Sequence, residues 1–136
     1  MSLNILLNTM PLNLFPLVWL LPSGNLLIQA YKQAVIFDYK NKVEYQLPDI
    51  PDCARVYPAS GATTMLPLTP ANNWTAQIIF CGGSNYENGW VPSASLPSFP
   101  AADSCYSIAP DVSTEWFDED SLPDNGRSMG QVCVHC

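Results

Sequence analysis

One phrase occurs twice in this chain, and the interval between its copies limits the fold more than any other feature. Leu21-Pro22, a turn and apolar strands lead to Leu47-Pro48-Asp49 and Arg55; Leu66-Pro67, a turn and apolar strands lead to Leu122-Pro123-Asp124 and Arg127. From Leu21 to Leu66 is a step of 45 residues, and repeats of about 40–50 residues are the period of β-propeller blades. Such a unit cannot hide its apolar faces alone and stacks on its neighbours. Two copies therefore imply further copies outside these residues.

Inside the first unit, runs at 17–21, 25–30, 35–39 and 43–47 are rich in Leu, Val, Ile, Phe and Tyr. They are separated by Pro22-Ser23-Gly24, a Tyr31-Lys32-Gln33 step and Lys40-Asn41-Lys42, which read as hairpin connections. The second unit pairs 63–68 with 76–80, ends that strand in Cys81-Gly82-Gly83, and resumes at 104–109 and 113–117 after an insertion at 84–103. A strand running into Gly-Gly is a kelch-type ending, because glycine lets one backbone pass close to another where a side chain would clash. Thirteen Pro, 12% charged residues and no sustained helical spacing complete the case for an all-β chain. The expected architecture is a kelch-like β-propeller fragment of about two four-stranded antiparallel blades, a partial domain over 1–131 with blade one at about 14–50 and blade two at about 55–124.

Charge and hydropathy remove several function classes. The net charge of −7 comes with only Lys32, Lys40, Lys42, Arg55 and Arg127 as fixed cations, too sparse to neutralise a row of phosphates, so no nucleic-acid partner is expected. The apolar run from Leu14 to Ala30 is cut by Pro16, Pro22, Ser23, Gly24 and Asn25 into strand lengths, which argues against a membrane partner. Residues 1–21 are apolar but lack a basic residue and carry Asn4, Asn8 and Asn13, so they do not read as a convincing signal peptide, and the true N-terminus is expected upstream. Five Cys and an Asn73-Trp74-Thr75 acceptor for N-glycosylation favour a secreted, extracellular parent.

Other clusters read as architecture before chemistry. Cys133, His135 and Cys136 have metal-donor spacing, but they number three where a structural zinc site takes four, and they sit in an aberrant or truncated tail at 132–136. Translation across a splice donor is the hypothesised origin of that tail. Glu115, Asp118, Glu119, Asp120 and Asp124 lack the spacing of a calcium loop and read as a solvated edge, with Asp124-Asn125-Gly126 as a turn. Trp19, Trp74, Trp90 and Trp116 read as blade packing, Trp90 being the one placed to face a ligand or another domain. Arg55 and Arg127 recur at equivalent points before a blade's first strand, where a buried or interblade salt bridge is expected.

The order of Leu14-Phe15-Pro16, Leu20-Leu21-Pro22-Ser23-Gly24-Asn25-Leu26, Phe37-Asp38-Tyr39, Leu47-Pro48-Asp49-Ile50-Pro51, Arg55-Val56-Tyr57-Pro58, Met65-Leu66-Pro67-Leu68-Thr69-Pro70 and Phe80-Cys81-Gly82-Gly83-Ser84 resembles the catalytic propeller of fungal glyoxal oxidases. The resemblance runs from about Leu3 to Gln131. It implies a secreted copper-radical oxidase that converts small aldehydes to carboxylic acids while reducing O2 to H2O2. In that chemistry two His and two Tyr bind one copper, and a Tyr crosslinked to Cys supplies the second oxidising equivalent. The resemblance places those ligands before and after this segment, so no catalytic, cofactor or metal residue is assigned within it; Tyr57 matches a strand opening a blade and not the radical tyrosine. The fragment alone is expected to be inactive and to have the remaining blades of its propeller as partners. Similar proteins also carry cysteines at the positions of Cys81 and Cys105. A disulfide there would close the insertion and contribute about 3 kcal/mol on a chain-entropy argument, with two separate buried thiols as the alternative. Cys53 has no evident partner. The competing function class is a non-catalytic kelch-type propeller that binds protein or carbohydrate, and a decayed gene is a third reading.

Overall fold

The computed structural model describes residues 2–57, 60–84 and 99–133. A short helix, α1 (Asn4–Asn8), precedes β1 (Leu17–Leu20), β2 (Leu26–Ala30), β3 (Gln33–Asp38) and β4 (Val43–Gln46). Then follow β5 (Ala62–Met65), a single 3-10 turn (Pro70–Asn72), β6 (Ile78–Cys81), β7 (Cys105–Ile108) and β8 (Phe117–Glu119). The strands form two four-stranded antiparallel sheets, each in sequential order, β1-β2-β3-β4 and β5-β6-β7-β8. The all-β expectation of two up-and-down sheets holds.

Register decides what each sheet buries. Leu27 pairs with Trp19 and Ile36, and this row faces the second sheet; Ile28 pairs with Val18 and Val35, and this row faces away. In the second sheet Ile78 pairs with Met65 and Ile108, facing the first sheet, while the next row, Ile79 with Thr64 and Ser107, faces the other way. Because side chains alternate along a strand, one register fixes both faces at once. The two facing rows make a single core of Leu21, Leu27, Ala34, Leu47, Ile50, Ala76, Ile78, Phe80 and Ile108, with Trp19 and Trp116 packed against it. Trp116 meets Phe80 edge to face, ring centroids 5.6 Å apart, and its indole N–H donates to the Pro48 carbonyl at 2.8 Å, so one side chain ties the sheets by both its ring and its polar edge. A second tie runs from the Ser23 amide to the Asp111 carboxylate at 3.0 Å.

Several sequence expectations are corrected. Residues 4–8 are helical, because Ile5 packs into a cluster with Ile28, Ala30 and Val35, and the Glu44 carboxylate accepts the amides of Asn4 and Ile5 at 2.7 and 3.1 Å. Those amides belong to the four that a helix start leaves unpaired, and their acceptor is about forty residues away, invisible to local pattern. The last strand lies at Phe117–Glu119 and not at 113–117. The amides of Val112 and Ser113 bond to the Ala109 carbonyl, and the Glu115 amide bonds to Ser113 Oγ, so this stretch spends its donors on a turn. The strand expected over 63–68 ends at Met65, two residues before Pro67, which has no amide for a ladder. Trp74 is 56% exposed and packs no core. Trp90 and residues 85–98 of the expected insertion lie outside the described residues, as do His135 and Cys136.

Phe80 is fully buried at the meeting of both sheets, so Phe80→Ala is expected to destabilise the protein by about 3–5 kcal/mol, read as a lowered thermal midpoint against Val112→Ala, a 72% exposed control.

Candidate functional site

The most unusual feature of the fold is a positive charge sealed inside it. After β4 the chain passes under the β2–β3 hairpin, held by the Ile50 amide on the Lys32 carbonyl at 2.7 Å and by Lys32 Nζ on the Asp52 carbonyl at 2.9 Å. Asp52 turns with φ 73°, and Ala54 then bridges to Ser84 at the end of the second sheet. This path delivers Arg55, 1% exposed, beneath β6 and β7.

Its guanidinium donates through Nη1 to the carbonyls of Gly82 and Ser104, and through Nη2 to Ser104 Oγ at 3.0 Å. The group also stands 5.5 Å from the Tyr106 ring centroid, within the range where a ring face attracts a cation. Cys53, equally buried, donates its thiol to the same Gly82 carbonyl at 3.3 Å. Burial lowers the pKa of Arg55 below its usual value and raises that of the Cys53 thiol, the neighbouring guanidinium partly offsetting the latter. The expected salt bridge is absent among the described residues. Arg55 is met by carbonyl dipoles, a hydroxyl and a ring, because the strand ends it reaches carry backbone acceptors and no acid. Arg127 does not repeat this arrangement: its side chain is exposed, and only its backbone joins the second sheet.

Gly82 and Gly83 are the hinge of the clasp. Both have positive φ, 70° and 102°, and a Cβ would collide with the Arg127 carbonyl at Gly82 and with the Ala54 carbonyl at Gly83. Their amides donate to Ser104 at 3.0 Å and Arg127 at 2.9 Å, so three chain segments cross at a point where only hydrogen fits. Beside them Cys81 and Cys105, direct partners in register, are joined by a disulfide on the face turned away from the first sheet. A cavity of about 150 Å³ next to it is lined by Ala62, Cys81, Leu122 and Arg127 among others.

The same outer face carries a polar relay that pattern reading missed. Ser107, fully buried, donates to Glu119 Oε1 at 2.6 Å, and Gln77 Nε2 reaches both at 2.9 and 3.3 Å. Nothing in the sequence marks these three as neighbours, since they come from three strands or their ends. The remaining acids expected to be solvated, Glu115, Asp118, Asp120 and Asp124, are exposed, with Asp124-Asn125-Gly126 in a turn closed by the Asn125 amide on the Pro123 carbonyl at 3.0 Å. Tyr57, 44% exposed, rests edge-on against Phe15 at 5.2 Å. Among the described residues no group of three or more His, Cys, Asp or Glu comes together that could hold a metal.

A buried arginine that binds the Cys-Gly-Gly strand end, repeated sheets and a disulfide across that end form an architectural site. A family model described as the N-terminus of glyoxal oxidase matches residues 1–135. The chain belongs to the glyoxal oxidase N-terminal family. It is 34% identical over 123 residues to the aldehyde oxidase GLOX of Vitis pseudoreticulata, covering 90% of this chain and 23% of that protein. It is 32% identical over 129 residues to the putative aldehyde oxidase Art an 7 of Artemisia annua, covering 88% and 22%. A WSC domain-containing protein of Arthroderma benhamiae is 33% identical over 116 residues, 79% of this chain and 12% of that protein. The chain thus spans less than a quarter of the length of these relatives.

Arg55→Met is expected to lower stability by about 1–3 kcal/mol, because the Gly82 and Ser104 carbonyls lose a charged donor, measured as the shift in thermal midpoint. A raised Cys53 pKa favours the thiol in the folded state, so its contribution is complete below about pH 8.5, the unfolded thiol's range, and declines above it. Stability profiles should accordingly lose part of their alkaline slope in Cys53→Ala.

Proposed function

We propose that this chain is a structural segment of a kelch-type propeller in a secreted copper-radical oxidase that oxidises small aldehydes, such as glyoxal and methylglyoxal, to carboxylic acids. Overall, aldehyde, O2 and water give acid and H2O2. The observation that carries this reading is the glyoxal oxidase family match over residues 1–135, strengthened by relatives named aldehyde oxidases. In it the first sheet belongs to one blade, about 14–50, and the second to another, about 55–124.

Within that enzyme the segment's work is to hold shape. Arg55, the glycine pair and the Cys81–Cys105 disulfide lock the second sheet's end, and the shared core fixes the angle between sheets. Copper, held by two His and two Tyr with one Tyr crosslinked to Cys, would be assembled by other parts of the protein, and it would supply the one-electron chemistry there. The partners of this segment are then the remaining blades. In support, apolar side chains stay open on both outer faces: Val18 is 50%, Leu20 64% and Phe117 48% exposed, the condition of a repeat that lacks neighbours. The disulfide favours an oxidising, extracellular setting, and no helix among the described residues is long and apolar enough to cross a membrane.

The complete protein containing this segment, loaded with copper, is expected to release peroxide from glyoxal, measured by a peroxidase-coupled assay, while residues 1–136 alone release none. Peroxide production by the isolated segment would overturn the structural role. A copper-loaded complete protein inert toward glyoxal and methylglyoxal would favour a non-catalytic binding propeller.

A further inference from the structure

Beyond the strand ends already described, the turn between β5 and β6 has a feature that neither the core nor the clasp uses. Thr69 opens this turn with a reciprocal cap: its amide donates to Asn72 Oδ1 at 3.0 Å, and Asn72's amide donates back to Thr69 Oγ1 at 3.4 Å. Asn72 also commits its side-chain nitrogen, Nδ2 donating to the Pro67 carbonyl at 3.2 Å. The neighbouring Asn73 differs. It is exposed, left-handed with φ 53°, and its side-chain amide makes no hydrogen bond among the described residues, while its backbone is fastened by its N–H to the Pro70 carbonyl at 3.1 Å. Of two adjacent asparagines, the turn consumes one side chain and presents the other. Only the presented one is followed at the second position by a threonine, Thr75.

We propose that Asn73 is the acceptor of an N-linked glycan, on a turn whose backbone is held rigid by Asn72. The inference rests on the secretory reading given above. An acceptor amide must be solvent-exposed and not committed elsewhere, with the hydroxyl of the second residue beyond it available to the transferring enzyme. The group transferred is an oligosaccharide from a polyprenyl-diphosphate-linked donor. Its C1–O bond to diphosphate breaks, a C1–Nδ2 bond to Asn73 forms, one amide proton is lost, and the lipid diphosphate leaves. Antiparallel pairing of Ala62–Met65 with Ile78–Cys81 puts this turn at the end of the second sheet opposite the disulfide and the glycine pair, so a glycan there leaves the Arg55 clasp clear. Trp74, 56% exposed with φ 57° and without a packing role in the core, gives the first sugar an apolar neighbour and is itself covered by it.

The test is secretion of the complete protein from a eukaryotic host, followed by peptide mapping before and after removal of N-glycans with peptide-N-glycosidase. The expected result is a glycan on the peptide bearing Asn73, conversion of Asn73 to Asp on its removal, and loss of that glycan in both Asn73→Gln and Thr75→Ala. The second variant keeps the left-handed asparagine, so the pair distinguishes loss of the acceptor from disturbance of the turn. An unmodified Asn73 in protein whose Cys81–Cys105 bond is oxidised would overturn the site while leaving the secretory reading standing; an unmodified Asn73 with both thiols reduced would overturn both.

Discussion

A four-stranded sheet with apolar side chains on both faces cannot satisfy itself, and this one constraint organises the molecule. Leu27 and Ile36 on one sheet and Ile78, Phe80 and Ile108 on the other are hidden only because the sheets lie against each other. Hydrophobic burial is non-directional and would tolerate many relative orientations. Direction comes from the polar ties laid across the same contact, Trp116 to the Pro48 carbonyl and Ser23 to Asp111. The core supplies the attraction, and a few hydrogen bonds select the angle.

The Arg55 clasp illustrates a different economy. A buried cation is costly unless it is met by acceptors, and here both guanidinium Nη atoms are met by strand-end acceptors, the Ser104 carbonyl sharing itself between Arg55 and the Gly82 amide. One guanidinium satisfies Gly82 and Ser104 together, joining the end of β6 to the approach of β7 just beyond the disulfide. Charge, glycine pair and covalent bond therefore act on the same few residues. That concentration suits a joint between repeats, where several segments converge and a packed core is thin.

Among the described residues the acidic edge is exposed, while the Glu119 carboxylate is committed to Ser107 and Gln77. The outer face bearing that relay also bears the exposed Phe117, so polar and apolar side chains share it.

Much of the secondary structure was legible from alternation and turn chemistry: each of the eight strands overlaps an apolar run read as a strand, the last at Phe117 alone, and Cys81-Gly82-Gly83 ends a strand as its glycines predict. Those features depend on residues close in sequence, where the two-residue period and the needs of glycine and proline are local rules. What local rules could not reach was every interaction whose partner is remote. Glu44 capping α1, the partners of Arg55, the displacement of the last strand to Phe117 and the unequal use of Asn72 and Asn73 are such cases. The chain's own order of residues determined that it would form repeated antiparallel hairpins with apolar faces. Only the tertiary structure decided which buried donors meet which carbonyls, because a hydrogen bond is directional and short, and its geometry exists only once distant segments have been packed together.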